Sequence, residues 1–181
     1  MKSAYCIILF VTASLASVSF DAAAKRGGRF GKGIRGSATK TYDGNTLSVT
    51  QLTTCLKLQE AIESSSLTLQ LSEKNVSSHN ATVNELDRKL ETLMKAINGT
   101  NTSSLTSQYQ IDSYNSKIDD YNARLAERNS IVERYEQQFS VYNAEVQEHN
   151  TLVNHFDVQC AGKRYYEDDM TTALANVQVA P

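Results

Sequence analysis

Residues 111–160 read IDSYNSKIDDYNARLAERNSIVERYEQQFSVYNAEVQEHNTLVNHFDVQC, and stepping through them by alternating three and four reveals the fold. The residues met are Ile111, Tyr114, Ile118, Tyr121, Leu125, Arg128, Val132, Tyr135, Phe139, Tyr142, Val146, His149, Val153, Phe156 and Cys160. Only Arg128 and His149 interrupt an apolar or aromatic series. A repeat of 3.5 residues held over this length specifies helices that wind into a left-handed supercoil. The aliphatic set takes heptad position a and the aromatic set position d.

Upstream, residues 45–98 obey the same rule. Position a is filled by Cys55, Ile62, Leu69, Val76, Val83, Leu90 and Ile97, and position d by Leu58, Ser65, Ser72, His79, Leu86 and Leu93. Between the two runs lies Asn98-Gly-Thr-Asn-Thr-Ser-Ser104, polar and turn-forming, with Gly99 suited to end a helix. These features predict an all-α fold: a long antiparallel coiled-coil helical hairpin over 47–161, with helices at about 48–98 and 104–160. Its tip falls at 98–110, with Asp112 or Ser113 as a cap. Pairing a with d across the seam sets Leu69 by Tyr142 and Leu90 by Tyr121. It leaves Cys160 one turn beyond Cys55, so a bend before Gly162 is needed to bring the two sulfurs together.

The distribution of helix breakers agrees. Among 181 residues the only proline is Pro181, and five of the eight glycines (Gly27, Gly28, Gly31, Gly33 and Gly36) crowd into one basic stretch. A β-sandwich or an α/β enzyme needs turn residues at every strand or helix junction. Gly44, Gly99 and Gly162 are too few for that.

Met1-Lys2 precedes an uncharged apolar run from Ala4 to Phe20, followed by small-residue cleavage options at Ser17-Val18-Ser19 and Ala22-Ala23-Ala24. This is the pattern of a signal peptide over 1–24, and it predicts export to the periplasm, the cell surface or the medium. The alternative is an uncleaved anchor, for which the run is at the short end. Cys6 would leave with the leader. The mature chain keeps Cys55 and Cys160, and an even count in an exported protein favours a disulfide. A pair of buried thiols, or a bond between chains, is also compatible with the count.

Charge is split along the chain. Lys25, Arg26, Arg29, Lys32, Arg35 and Lys40 are unopposed by any acid within 25–40, whereas 41–181 holds 11 Lys and Arg against 19 Asp and Glu, a net of −8. Glycine-rich and poor in large apolar residues, 25–46 is predicted to be a disordered basic tail. Its six cations are candidates for binding an anionic envelope polymer or lipid, and a solvated spacer is the plainer reading. Nucleic acid is not an expected partner.

Asn115, Asn122, Asn129, Asn143 and Asn150 recur at position e, each just after a d residue. Asparagine is a poor helix former, so the row is a candidate ridge for a partner helix; a solvated seam edge explains it as well. His79, His149 and His155 have no metal-ligand spacing, and Asp119-Asp120 and Asp168-Asp169 are neighbours that point apart on a helix. With no phosphate loop or nucleophile motif either, the chain reads as non-enzymatic, with no catalytic, metal or cofactor residues.

One stretch is less generic: Phe156-Asp-Val-Gln-Cys160-Ala-Gly162-Lys-Arg-Tyr165-Tyr166-Glu-Asp168. Together with Leu52-Thr-Thr-Cys55-Leu it resembles the ends of uncharacterised secreted coiled-coil proteins of proteobacteria, in which a Cys-Ala-Gly-Lys/Arg-x-Tyr motif closes a long helical stretch. The resemblance implies export and a paired Cys55 and Cys160, and it brings no activity with it. Residues 162–181 then form a C-terminal cap and tail, with Tyr165 or Tyr166 folding over the disulfide end. The function expected is that of a structural or adaptor protein, associating with protein partners or with itself through its helical faces. An envelope-binding module acting through residues 25–40, or a holdase chaperone, are the alternatives.

Overall fold

The computed structural model of the protein describes residue 24, residues 27–35 and residues 39–178. The leader predicted at 1–24 therefore lies outside the described residues except at its last position, as do Lys25 and Arg26. Two long helices dominate, α1 (Val49–Asn98) and α2 (Gln108–Gln159). Neither contains Gly or Pro, and at ~1.5 Å per residue each runs roughly 75–80 Å.

Both helices begin with the same device. Ser48 accepts from the Gln51 N–H and Gln51 accepts in return from the Ser48 N–H, and Ser107 and Gln110 repeat the exchange at α2. Such reciprocal capping satisfies two otherwise orphaned donors. It starts α2 at Gln108 rather than near 104, and makes Ser107 the cap in place of Asp112 or Ser113. Gly99 does end α1, though in a right-handed conformation at φ −75°, its N–H donating to the Lys95 carbonyl at 2.9 Å.

Three contacts fix how α1 faces α2. They are the Cys55–Cys160 disulfide, a hydrogen bond at 2.8 Å between Ser65 Oγ and His149 Nδ1, and the Arg128–Asp87 ion pair at 2.7 Å. Low numbers on α1 meet high numbers on α2, so the helices run in opposite directions. The disulfide joins a to a, and Ser65–His149 joins d to d. This corrects the a-with-d register by about one turn. The physical reason lies in the polar interruptions. In the observed register His149 meets Ser65, Arg128 reaches Asp87, and the cysteines are level without a bend.

Carried along the seam, the same offset sets Ile62 level with Val153, Leu69 with Val146, Val76 with Phe139, Leu90 with Leu125 and Ile97 with Ile118. Leu69, Val76, Tyr135, Tyr142 and Val146 form one buried cluster, with Phe139 packed against it. Small Ser65 and Ser72 fall opposite bulky His149 and Tyr142, the alternation that lets layers interdigitate.

Because Ile97 is level with Ile118, the first turns of α2, residues 108–116, project beyond the end of α1. The connection 99–107, with a 3₁₀ turn at Thr102–Ser104, offers one large apolar residue, Leu105, to set against them. Among the described residues, α2 buries none before Tyr135.

At the opposite end the chain is not all-α. Strands β1 (Gly33–Ile34) and β2 (Thr46–Leu47) both pair in parallel with β3 (Arg164–Tyr166), giving the order β1-β3-β2. Helix α3 (Glu167–Gln178) follows β3 directly and packs on α1. Its first turn holds Glu167, Asp168 and Asp169, which suits the positive end of the helix dipole. Among the described residues no helix is long and apolar enough to cross a membrane.

The tail predicted to be disordered at 25–46 differs from what is seen in its described part, which lies across the hairpin base as a strap. Gly31 donates its N–H to the Lys163 carbonyl and Gly162 donates to the Arg29 carbonyl, both at 2.9 Å. A Cβ on Gly31 would lie 2.7 Å from the Lys163 carbonyl oxygen, so glycine is what permits this approach. Gly162 turns the chain out of α2 at φ 72°.

Candidate functional site

The base is the most constructed part of the molecule. Its core is Leu47, Leu52, Cys55, Phe156, Cys160 and Ala173, with Phe30, Tyr165 and Met170 among the residues packed on it. The cysteines predicted to pair are bonded within the chain, with an S–S distance of 2.03 Å and Cα atoms 5.8 Å apart, and both side chains are buried. Phe30, from the strap, meets Phe156 and Tyr165 edge-on at centroid distances of 5.4 and 6.1 Å. Tyr165 thus covers the disulfide end, helped by an aromatic residue from the far N-terminal side. Gly28 donates its N–H to Asp157 at 2.7 Å.

Beside this core is a polar lock. Lys40 places its ammonium between the carboxylates of Asp168 and Asp169, at 2.5 Å from Asp169. Asp169, which is buried, also accepts from the Tyr42 hydroxyl at 2.8 Å. The Thr41 N–H donates to the Tyr166 hydroxyl at 3.0 Å, and Tyr42 and Tyr166 meet edge-on. The adjacent acids read as pointing apart thus converge on one cation, because Lys40 arrives from the strap over the start of α3.

The electrostatics follow from these contacts. Hydrogen bonds to Asp168 and then Asp169 hold the Lys40 ammonium well above its ordinary value, and the bond to Lys40 holds Asp168 below its own. The bond to Asp169 raises the Tyr42 phenol. Asp43 is lowered by hydrogen bonds from Thr46 and from the Asn45 N–H. For Lys40, Asp168 and Asp43 the partner favours the charged form, whereas for Tyr42 the carboxylate acceptor favours the neutral phenol that donates to it.

Of the six cations proposed to meet an anionic partner, Lys40 is engaged internally, and Arg29, Lys32 and Arg35 are exposed on the strap. The asparagine row is divided: Asn115, Asn122 and Asn129 are exposed near the tip, while Asn143 and Asn150 are half-buried toward the base. His79 bonds the Asn75 carbonyl and His149 meets Ser65, so the histidines remain apart. Among the described residues no cluster of His, Cys, Asp or Glu is arranged to hold a metal ion.

Sequence reasoning missed the strap contacts of Phe30, Gly31, Lys40 and Tyr42. The signal was present as complementary charge, a basic 25–40 and an acidic 167–169.

Two grooves remain. One, of about 360 Å³, runs beside the disulfide along Thr50, Gln51, Thr54, Gln159 and Lys163. The other, of about 460 Å³, lies in the tip half between α1 and α2, where Glu85, Arg88 and Lys89 face Asp120 and Arg124. In the tip half Val83, Leu86 and Leu90 of α1 are buried, whereas on α2 Leu125 is 37 % exposed and, nearer the tip, Ile111 is 38 % and Tyr109 82 % exposed. Comparison of the chain with protein-family models, with curated proteins and with solved structures finds no match.

Proposed function

We propose that the protein is an exported, non-enzymatic coiled-coil rod that acts as a structural or adaptor protein in the bacterial periplasm or at the cell surface, and that it docks protein partners through its tip half. The two long helices form an antiparallel left-handed coiled coil, in line with their sustained heptads. The observation that carries the docking reading is the overhang of α2. In the overhang the a residue Ile111 stays exposed, as do Tyr109 and Asn115, and Asn122, Leu125 and Asn129 are exposed further along α2, whereas the core residues of the base are buried. An apolar stripe rimmed by polar residues is what a partner helix packs against.

An anionic-polymer reading through residues 25–40 has Arg29, Lys32 and Arg35 in its favour. It is the weaker one, since Lys40 is neutralised by α3 and the strap already lies against acidic residues of its own chain.

The test places a photo-crosslinking residue at Ile111 or at Val158, which is 76 % exposed near the base, in the chain expressed from Met1 in its source cells. Processing near residue 24, recovery outside the cytoplasm with the disulfide formed, and protein crosslinks from Ile111 but not Val158 are expected. A cytoplasmic, unprocessed chain or crosslinks from Val158 alone would contradict the reading.

A further inference from the structure

Asn98-Gly99 is the one Asn-Gly step in the chain, and it falls where α1 ends at the tip. Both residues are exposed, and among the described residues the Asn98 side chain makes no hydrogen bond. Glycine leaves its own nitrogen unscreened by a Cβ, so the side chain before it can be reached from the backbone. We propose that Asn98 is a site of spontaneous modification, at which the Gly99 nitrogen closes on the Asn98 side-chain carbonyl carbon and the amide is converted to a carboxylate. The Gly99 N–Cγ bond forms, the Cγ–Nδ2 bond breaks, and ammonia leaves with the proton given up by the Gly99 nitrogen. Water, the one co-reactant, then opens the five-membered imide at either carbonyl, leaving an aspartate or an isoaspartate at position 98.

Local structure sets the rate. While Asn98 is helical, the Gly99 N–H donates to the Lys95 carbonyl at 2.9 Å. Thr100 supports that turn, its N–H on the Ile97 carbonyl at 3.2 Å and its hydroxyl on the Ala96 carbonyl at 2.8 Å. Attack requires these bonds to open. They belong to the last turn of a helix, where opening is local and costs little. Two related steps are held shut. At Asp43-Gly44 the carboxylate accepts from the Asn45 N–H at 3.0 Å and lies 3.4 Å from the Arg164 guanidinium. Hydrogen bonds from Thr46 and the Asn45 N–H keep it ionised, the form from which no good leaving group departs. Asn101 is exposed like Asn98, but its side-chain oxygen accepts from the Ser103 N–H at 3.0 Å, and the β-branched Thr102 follows it. A carboxylate at 98 meets the negative end of the α1 dipole, so the last turn loosens and the docking end gains negative charge. That consequence rests on the proposed docking role; the chemistry does not.

The test incubates the oxidised full chain, folded, in mildly alkaline buffer. Conversion is read by peptide mass spectrometry as the amide-to-acid mass change, and isoaspartate by labelling with an isoaspartyl methyltransferase. The expected result is conversion at Asn98 ahead of every other asparagine, with both products present. Asn98→Gln stops it, because the longer side chain cannot close the five-membered ring, and Gly99→Ala slows it. Thr100→Val removes the hydroxyl bond to Ala96 and speeds conversion by about threefold to tenfold, the change in opening that one lost hydrogen bond gives. Conversion no faster at Asn98 than at Asn101, or a rate that Thr100→Val leaves unchanged, overturns the inference. A chain that converts at Asn98 but crosslinks no protein from Ile111 leaves the modification site standing and removes the docking role. Protein crosslinks from Ile111 in a chain that never converts do the reverse.

Discussion

At the base, Leu52, Cys55, Val153, Phe156 and Cys160 are at most 3 % exposed, whereas at the tip the heptad residues Ile111 and Leu125 are 38 % and 37 % exposed. The repeat is equally regular at both ends, so heptad pattern alone does not produce burial. Two helices cover only one stripe of each other, which leaves such a pair marginal. The base gains what the tip lacks: a covalent bond, a strap that adds Phe30 and two strands, and α3 laid against α1. Stability therefore resides at the base, and the tip is left less covered.

The comparison breaks most directly at the disulfide. It closes a loop of 105 residues, and in the chain-entropy picture such a cross-link contributes about 4–5 kcal/mol. Cys160→Ser, or reduction, is expected to lower the unfolding free energy by an amount of that order in urea titration. A change within about 0.5 kcal/mol would mean that the base does not depend on its clamp.

Truncation sharpens the contrast residue by residue. Leu52 is fully buried, and Leu52→Ala is expected to cost about 2–5 kcal/mol. Ile111→Ala removes a similar side chain from the open stripe and is expected to cost about 0.5 kcal/mol or less in the monomer. Equal costs by thermal unfolding would erase the distinction between the ends.

The strap supplies a third, smaller effect. Gly31→Ala drives a methyl group into the carbonyls of residues 162 and 163, an overpacking that costs about 1–3 kcal/mol at the strap. Faster proteolysis after Arg29, Lys32 and Arg35 is expected, with helical circular dichroism unchanged. If the strap is as protease-resistant as in the parent chain, its docking does not require the glycine.

Smallest is the response to pH. Asp168 and Asp43 are held below their ordinary range, so their contribution is present above about pH 4 and is lost as pH falls through the lowered values. Lys40 and Tyr42 are raised, so theirs is present below about pH 10 and is lost as pH rises through the raised values. Near-UV circular dichroism from Tyr42 and Tyr166 is therefore expected to be flat from about pH 5 to 9 and to decline outside that window. A midpoint near neutrality would contradict the lock.

Much of this was legible in the residues. The alternation from Ile111 to Cys160 and its counterpart from Cys55 to Ile97 predicted both long helices, and Gly99 marked the break between them. Register was not legible. Pairing a with d or like with like satisfies the same hydrophobic pattern, and the choice rests on which polar interruptions find partners: His149 with Ser65, Arg128 with Asp87. The strap escaped notice for a different reason. Its glycines read as disorder by composition, yet Gly31 is needed where one backbone lies directly on another. Its anchoring is mostly main-chain hydrogen bonding, which side-chain patterning does not reveal. The link between Lys40 and Asp169 spans 129 residues of sequence, and only folding brings it together.

The rod is held shut at its base and less covered at its tip. Native-state hydrogen exchange on the oxidised protein, read at peptide resolution and at a concentration where it is monomeric, tests this most directly. Slowest exchange is predicted across α1 near Cys55, α2 near Phe156 and β3, and fastest exchange among helical segments at residues 108–118. Uniform protection along both helices, or a base that exchanges as fast as the tip, would contradict it.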